Sequence, residues 1–227
     1  MQYAIKKQNH TFWYEEKAEC MYFVVISVEP YETLLTAIKS IANGKVSKPA
    51  HVTIQGPLSE PPQPNSLEEI GSKISNVTLK VTGTGLFENP GKTALFLKLT
   101  SDGLECVWNK PHYPVEQFGL NPHITLYEGS DLVLIDHLKM IISSSFMNRL
   151  SFLASKVLVM GNGIKHASIA FDLSRLIYPE EDLILEEFEQ RLAKNSTHER
   201  LDLIDALIKK YKKSYQFDSE PLAVQAG

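Results

Sequence analysis

An unbroken apolar run opens the readable pattern. Residues 20–28 (CMYFVVISV) are β-branched and aromatic and are stopped by Pro30, which predicts a buried strand. In YETLLTAIKSIA, Leu34, Ile38 and Ile41 recur at helical spacing, and Asn43-Gly44 supplies a C-terminal stop. AHVTIQGPL alternates and ends in Gly-Pro, so it reads as a second strand. The breaker loop SEPPQPNS leads to a short segment near residues 67–74. NVTLKVTGTGLF and KTALFLKLT follow as two strands of a hairpin joined by ENPG. After the polar, Pro-interrupted LECVWNKPHYPVEQFGLN comes a short alternating strand, PHITLYEG. Residues 131–145 predict a helix with Leu134, Leu138, Ile141 and Ile142 on one face, and Asp131 stands where a carboxylate suits the helix dipole. SFLASKVLVM and KHASIAFDL read as a final strand pair around Gly161-Asn162-Gly163.

Past Pro179 the pattern becomes helical. Leu185, Phe188 and Leu192 form one stripe, and Leu201, Ile204, Ile208, Tyr211 and Tyr215 form another. The expected organisation is α+β over residues 1–178, followed by a C-terminal helical extension over residues 179–227 that caps the core, covers a cleft or forms an oligomer interface. Lys209, Lys210, Lys212 and Lys213 near the end of the second helix read as a solvated face.

Composition narrows the class. With 227 residues, 43% apolar and 22% charged, the chain is an ordinary globular one. A net charge of -4 and a pI near 6.0 leave no global basic field for gripping long nucleic acid, so a small or short anionic substrate fits better. Cys20 and Cys106 are too few and too far apart for a disulfide framework. No apolar run approaches a membrane span and the N-terminal residues show no signal-peptide core, so a cytoplasmic protein without membrane contact is expected.

The candidate chemistry lies in an internal repeat. PAHVTIQGP and NPHITLYEG each carry His, a β-branched residue, Thr, an aliphatic residue and a nearby glycine, 72 residues apart. Side chains alternate along a strand, so His51 and Thr53 share a face, as do His123 and Thr125. Two imidazoles can divide acid and base work on a phosphodiester, and two hydroxyls can donate to its non-bridging oxygens. No His, Asp, Glu or Cys cluster has metal-ligand spacing, so neither metal nor cofactor is expected and activity should survive chelation.

These paired motifs, with the opening strand and the hairpin through Gly83-Thr84-Gly85-Leu86-Phe87, resemble the two-histidine (2H) phosphoesterase superfamily, also called LigT-like or 2′,5′-RNA ligase-like. The resemblance covers about residues 20–173. It implies a pseudo-twofold, two-lobed fold with one motif from each lobe facing a central cleft, so that His51 and His123 are catalytic and Thr53 and Thr125 bind phosphate. It also implies cleavage of cyclic or 2′,5′-linked phosphodiesters of nucleotides or short RNA: 2′,3′-cyclic ends, cyclic nucleotides or oligoadenylate-type signals. RNA ligation or end processing, and a non-catalytic nucleotide-binding module, are the alternatives. His166-Ala167-Ser168 has a related spacing but lies only 43 residues past His123, too close for a repeated lobe. It reads as a buried or rim strand histidine rather than a catalytic one, and His10, His112, His137 and His198 read as non-catalytic too.

A nucleobase needs an aromatic platform. The candidates are Tyr22, Phe87, Trp108, His112, Tyr113 and Tyr127, with the loop through WNKPHYP foremost. Lys92 and Lys110 are possible phosphate contacts.

Overall fold

The computed structural model describes residues 21–110, 115–161, 167–181 and 183–214. The opening apolar run becomes β1 (Tyr22–Ser27), the middle strand of an antiparallel sheet between β2 (His51–Leu58) and β7 (Val157–Gly161). That position accounts for its continuous hydrophobicity. Val24 and Ile26 enter the main core from one face, and Val25 on the other face is equally buried. The predicted hairpin forms as β3 (Thr78–Asn89) and β4 (Lys92–Ser101). It is flanked by β5 (His123–Gly129) and β6 (Ser151–Leu153), giving a second antiparallel sheet of order β5-β4-β3-β6.

Helices close the core. α1 (Glu32–Asn43) buries Leu34, Leu35, Ile38 and Ile41 and stops at Gly44, whose φ of 63° lets its N–H reach the carbonyls of Ile41 and Ser40. α1 packs on β5, and Asn43 seals that strand's outer edge: its Nδ2 donates to Leu126 O at 3.1 Å and its Oδ1 accepts from Glu128 N at 3.0 Å. α2 (Pro64–Ile74) sits beside β7, and a short α3 (Val115–Phe118) precedes β5. α4 (Leu132–Ser144) begins with Asp131 as its N-cap, the carboxylate accepting from Leu134 N at 2.9 Å.

Two expectations need correction. SFLASKVLVM is not one strand: β6 pairs with β3 and β7 pairs with β1, so Ala154–Lys156 carries the chain from one sheet to the other. KHASIAFDL, expected as a strand over residues 165–173, lies largely in α5 (Ala167–Ile177). Ala170, Leu173 and Ser174 are buried at spacings of three and four, a helical stripe that outweighs the alternation read from KHASIAFDL.

The two predicted C-terminal helices form as α6 (Leu185–Lys194) and α7 (Thr197–Ser214). Phe188, Leu192, Leu201, Ile204, Leu207 and Ile208 join the same buried cluster as the sheets, and α7 packs on α1 and α4. Among the described residues, no helix is long and apolar enough to cross a membrane.

Candidate active site

The two motif strands are placed alike. β2 is an edge strand of the first sheet and β5 an edge strand of the second, and they touch across the gap between the sheets. In β2, Val52 and Ile54 point into the core while His51 and Thr53 line the other face, half-buried. In β5, Ile124 and Leu126 point inward while His123 and Thr125 line the other face, also half-buried. Neither the Thr53 nor the Thr125 hydroxyl has a hydrogen-bond partner among the described residues, which leaves both open to a ligand.

The likeness extends to the backbone. His51, Val52 and Thr53 pair with Ser27, Ile26 and Val25, after which the register slips so that Gln55 faces Val24. His123, Ile124 and Thr125 pair with Lys98, Leu97 and Phe96, after which Tyr127 faces Leu95. Each motif therefore carries one extra residue at its fourth position, Ile54 or Leu126, immediately after the threonine. A β-bulge of this kind bends the strand and ends strict alternation.

Both imidazoles are held the same way. His51 Nδ1 lies 2.7 Å from Pro49 O and His123 Nδ1 lies 2.9 Å from Asn121 O, in each case the carbonyl two residues upstream. A carbonyl only accepts, so each Nδ1 carries the proton and each Nε2 is left free to accept or, when protonated, to donate.

Burial and nearby cations keep both rings neutral. Burial, followed by the charge of Lys39, lowers His51 to about 4; Lys48 and His123 act in the same direction, and the Pro49 carbonyl opposes. Burial, followed by the charge of Lys110, lowers His123 to about 4, opposed by the Asn121 carbonyl. Burial likewise lowers Lys39 on α1 and brings Lys110 down to about 8. Lys98, the register partner of His123, is exposed beside it.

An aromatic wall stands against His123. Phe87 meets the ring at 5.0 Å in an edge arrangement, Phe96 meets it at 5.1 Å, and Phe87 stacks on Phe96 at 4.3 Å. Gly85 makes room for this wall: a Cβ there would lie 2.5 Å from the Phe96 ring and 2.7 Å from Lys98 Cε.

The other platform candidates fare differently. Trp108 is half-buried against the core, and one ring face is covered by the Lys110 ammonium at 4.3 Å. Among the described residues its Nε1 is buried without a hydrogen-bond partner. Tyr127 is corrected. Strict alternation would put it beside His123 and Thr125, but the bulge at Leu126 turns it into the core, 6% exposed, with its hydroxyl accepting from Asp131 N at 3.2 Å. Tyr22 is also displaced. It pairs with Leu58, five residues along β1 from the Ser27–His51 pair, roughly 16 Å at strand rise, and alternation gives it the face of Val24 and Ile26.

His112, Tyr113, His10 and His166 lie outside the described residues. His137 and His198 are exposed on α4 and α7, and Lys92 pairs with Glu128 at 2.9 Å.

Sequence reasoning passed over Phe96, Lys98, Lys39 and Lys48. Phe96 and Lys98 occupy alternate positions in KTALFLKLT, and only the register across to β5 reveals that they face the second motif. Lys39 acts on His51 through the packing of α1, which leaves no mark at the level of spacing, and Lys48 stands three residues before His51.

Among the described residues, no three His, Cys, Asp or Glu side chains gather in a way that could hold a metal ion. Comparison of the chain with protein-family models and with curated proteins gives no match.

Proposed function

We propose that this chain is a two-histidine phosphodiesterase with a pseudo-twofold, two-lobed fold of the 2H type, acting on cyclic or 2′,5′-linked phosphodiesters of nucleotides or short RNA. The observation that carries this reading is the matched pair: two His-x-Thr strands, each bulged after its threonine, each holding its imidazole by Nδ1 against the carbonyl two residues upstream.

The chemistry follows from the free nitrogens. One neutral Nε2 takes a proton from the attacking hydroxyl or water, and the other imidazole, once protonated, gives a proton to the departing oxygen. Thr53 and Thr125 donate to the non-bridging oxygens and hold phosphorus between the rings. A phosphodiester anion entering among Lys39, Lys48, Lys98 and Lys110 offsets their charge, which raises the affinity of the nearer imidazole for a proton at the moment an acid is needed. The roles reverse for scissile bonds of opposite polarity. Phe87, half-buried and backed by the buried Phe96 ring, offers the aromatic surface for a base beside His123.

The test is a panel of 2′,3′-cyclic nucleotides, 2′,5′-oligoadenylates and cyclic oligonucleotides, assayed with and without EDTA, with His51→Ala and His123→Ala alongside. At least one substrate should turn over in EDTA, and each variant should abolish that turnover. Full activity in either variant refutes shared acid-base catalysis, and binding without turnover across the panel favours a non-catalytic nucleotide-binding module.

A further inference from the structure

Lys110 is placed with unusual care for a lysine in a loop. The segment before it runs beside the edge of β2: Asn109 N donates to Ile54 O and Gly56 N to Asn109 O, both at 3.0 Å, and Gln55 Nε2 donates to Val107 O at 2.9 Å. Three hydrogen bonds thus fix residues 107–109 to the strand that carries the first motif. Trp108, packed against the core, supports the ammonium of Lys110 at 4.3 Å from its ring centroid. Lys110 has no carboxylate partner among the described residues, yet it is the leading charge acting on His123, which belongs to the second motif. It therefore couples the two halves of the site: the backbone just before it is tied to β2, and its charge acts on His123 of β5.

A half-buried ammonium held on an aromatic face, with no carboxylate partner among the described residues, gains by receiving an anion. We propose that Lys110 is a specificity-determining anion anchor that selects ligands with a phosphoryl group seated against His123, with the Trp108 ring holding the ammonium in place. This rests on the proposed reaction for its biological meaning, but not for its test.

The groups facing His123 are Lys110 from the loop, Lys98 from β4, Phe87 from β3, Phe96 from β4 and His51 across the gap. Among the described residues facing His123, only the two lysines can supply fixed positive charge, so Lys98 is the necessary control. An anion at Lys110 cancels the charge acting on His123, and the imidazole then holds its proton to higher pH.

The experiment follows the His123 ring protons of the full chain by NMR through a pH titration, without and with inorganic phosphate. It is run on the unsubstituted protein, Lys110→Met, Lys110→Arg and Lys98→Met. Phosphate should move the His123 titration to higher pH in the unsubstituted protein. Lys110→Met should start at higher pH without phosphate and bind phosphate about 10- to 100-fold more weakly, the range for a lost charge-assisted bond. Lys110→Arg should retain the response. An unchanged phosphate response in Lys110→Met, or a response lost in Lys98→Met instead, overturns the anchor. A Lys110-dependent response with no turnover of any phosphodiester leaves the anchor standing and removes the catalytic reading, so the two failures are told apart.

Discussion

His51 and His123 are held by the same hydrogen bond, Nδ1 to the carbonyl of Pro49 at 2.7 Å in one case and to that of Asn121 at 2.9 Å in the other. The shared geometry assigns the chemistry to Nε2, and that can be separated from structure. Asparagine places an amide N–H near the position of Nδ1 but nothing at Nε2. His51→Asn and His123→Asn should each keep the carbonyl contact and a melting temperature within a few degrees of the parent, yet lose about 10²- to 10⁴-fold in kcat. Turnover within tenfold of the parent in either variant would show that Nε2 does not carry the reaction.

The depressed histidines also set the pH dependence of activity. In the free site both rings titrate near 4, so the bell for kcat/KM should centre well on the acid side of neutrality. Bound phosphodiester is an anion, and an anion favours imidazolium, so the bell for kcat should lie at higher pH. Steady-state profiles on any substrate from the panel measure the displacement. Coincident bells, or a kcat bell on the acid side of the kcat/KM bell, would contradict the electrostatic account.

Stability should follow the same groups with a definite sign. An unfolded histidine titrates near 6.5 and these folded ones near 4, so between those values the unfolded chain binds more protons. Stability is therefore fully present above the unfolded value and is lost as pH falls towards 4, by at most about 1.4 kcal/mol per pH unit for each histidine. Urea titrations from pH 7 to pH 4 on the parent and on the double variant His51→Asn/His123→Asn isolate the contribution. An equal slope in both proteins would mean that these histidines are not the groups responsible.

Much of this site was legible in the order of residues, because a period of two is enough to put His51 with Thr53 and His123 with Thr125. The hairpin, the opening strand and the C-terminal helices were legible for the same reason: each is a long, consistently patterned segment. Tyr127 was misplaced because a bulge is a register event between two strands, and one strand read alone cannot show it. The 167–177 helix was missed because its buried face is short and its alternation equally suits a strand. Lys39 and Lys98 act on the histidines through tertiary packing across gaps that no local spacing encodes, whereas Lys48 stands only three residues before His51.

Gly85 offers a test of the aromatic wall. A Cβ there would meet Cε2 and Cζ of Phe96 at 2.5 Å, so Gly85→Ala must displace a ring that is stacked on Phe87 and packed against His123. The expected cost is about 1–3 kcal/mol of stability, with kcat/KM lowered about tenfold through the shifted imidazole. Shortening the obstructing ring should relieve it, so Gly85→Ala/Phe96→Leu should cost less than the two single changes added together. Additive losses would show that the glycine serves the strand backbone rather than the wall.

The C-terminal helices support the site from behind. α7 packs on α1, which carries Lys39, and Thr197 Oγ1 donates to Asp131 Oδ2 at 2.5 Å, beside the end of β5. Its Arg200 donates to Ala42 O at 3.4 Å and lies over Gly44, where a Cβ would meet the guanidinium at 2.5 Å. Removing residues after Pro179 would strip Phe188, Leu192, Leu201, Ile204, Leu207 and Ile208 from the core. At about 1.5–3 kcal/mol for each buried side chain, that loss is on the order of 10 kcal/mol, comparable to the whole stability of a typical domain. The truncated chain should therefore fail to fold cooperatively by circular dichroism and urea titration. Thr197→Val removes one hydrogen bond and should cost only about 1 kcal/mol with the transition kept sharp. A truncated chain that melts like the parent and keeps its kcat would mean that the last two helices are a separable appendage, and that the Asp131–Thr197 contact does nothing for the strand of His123.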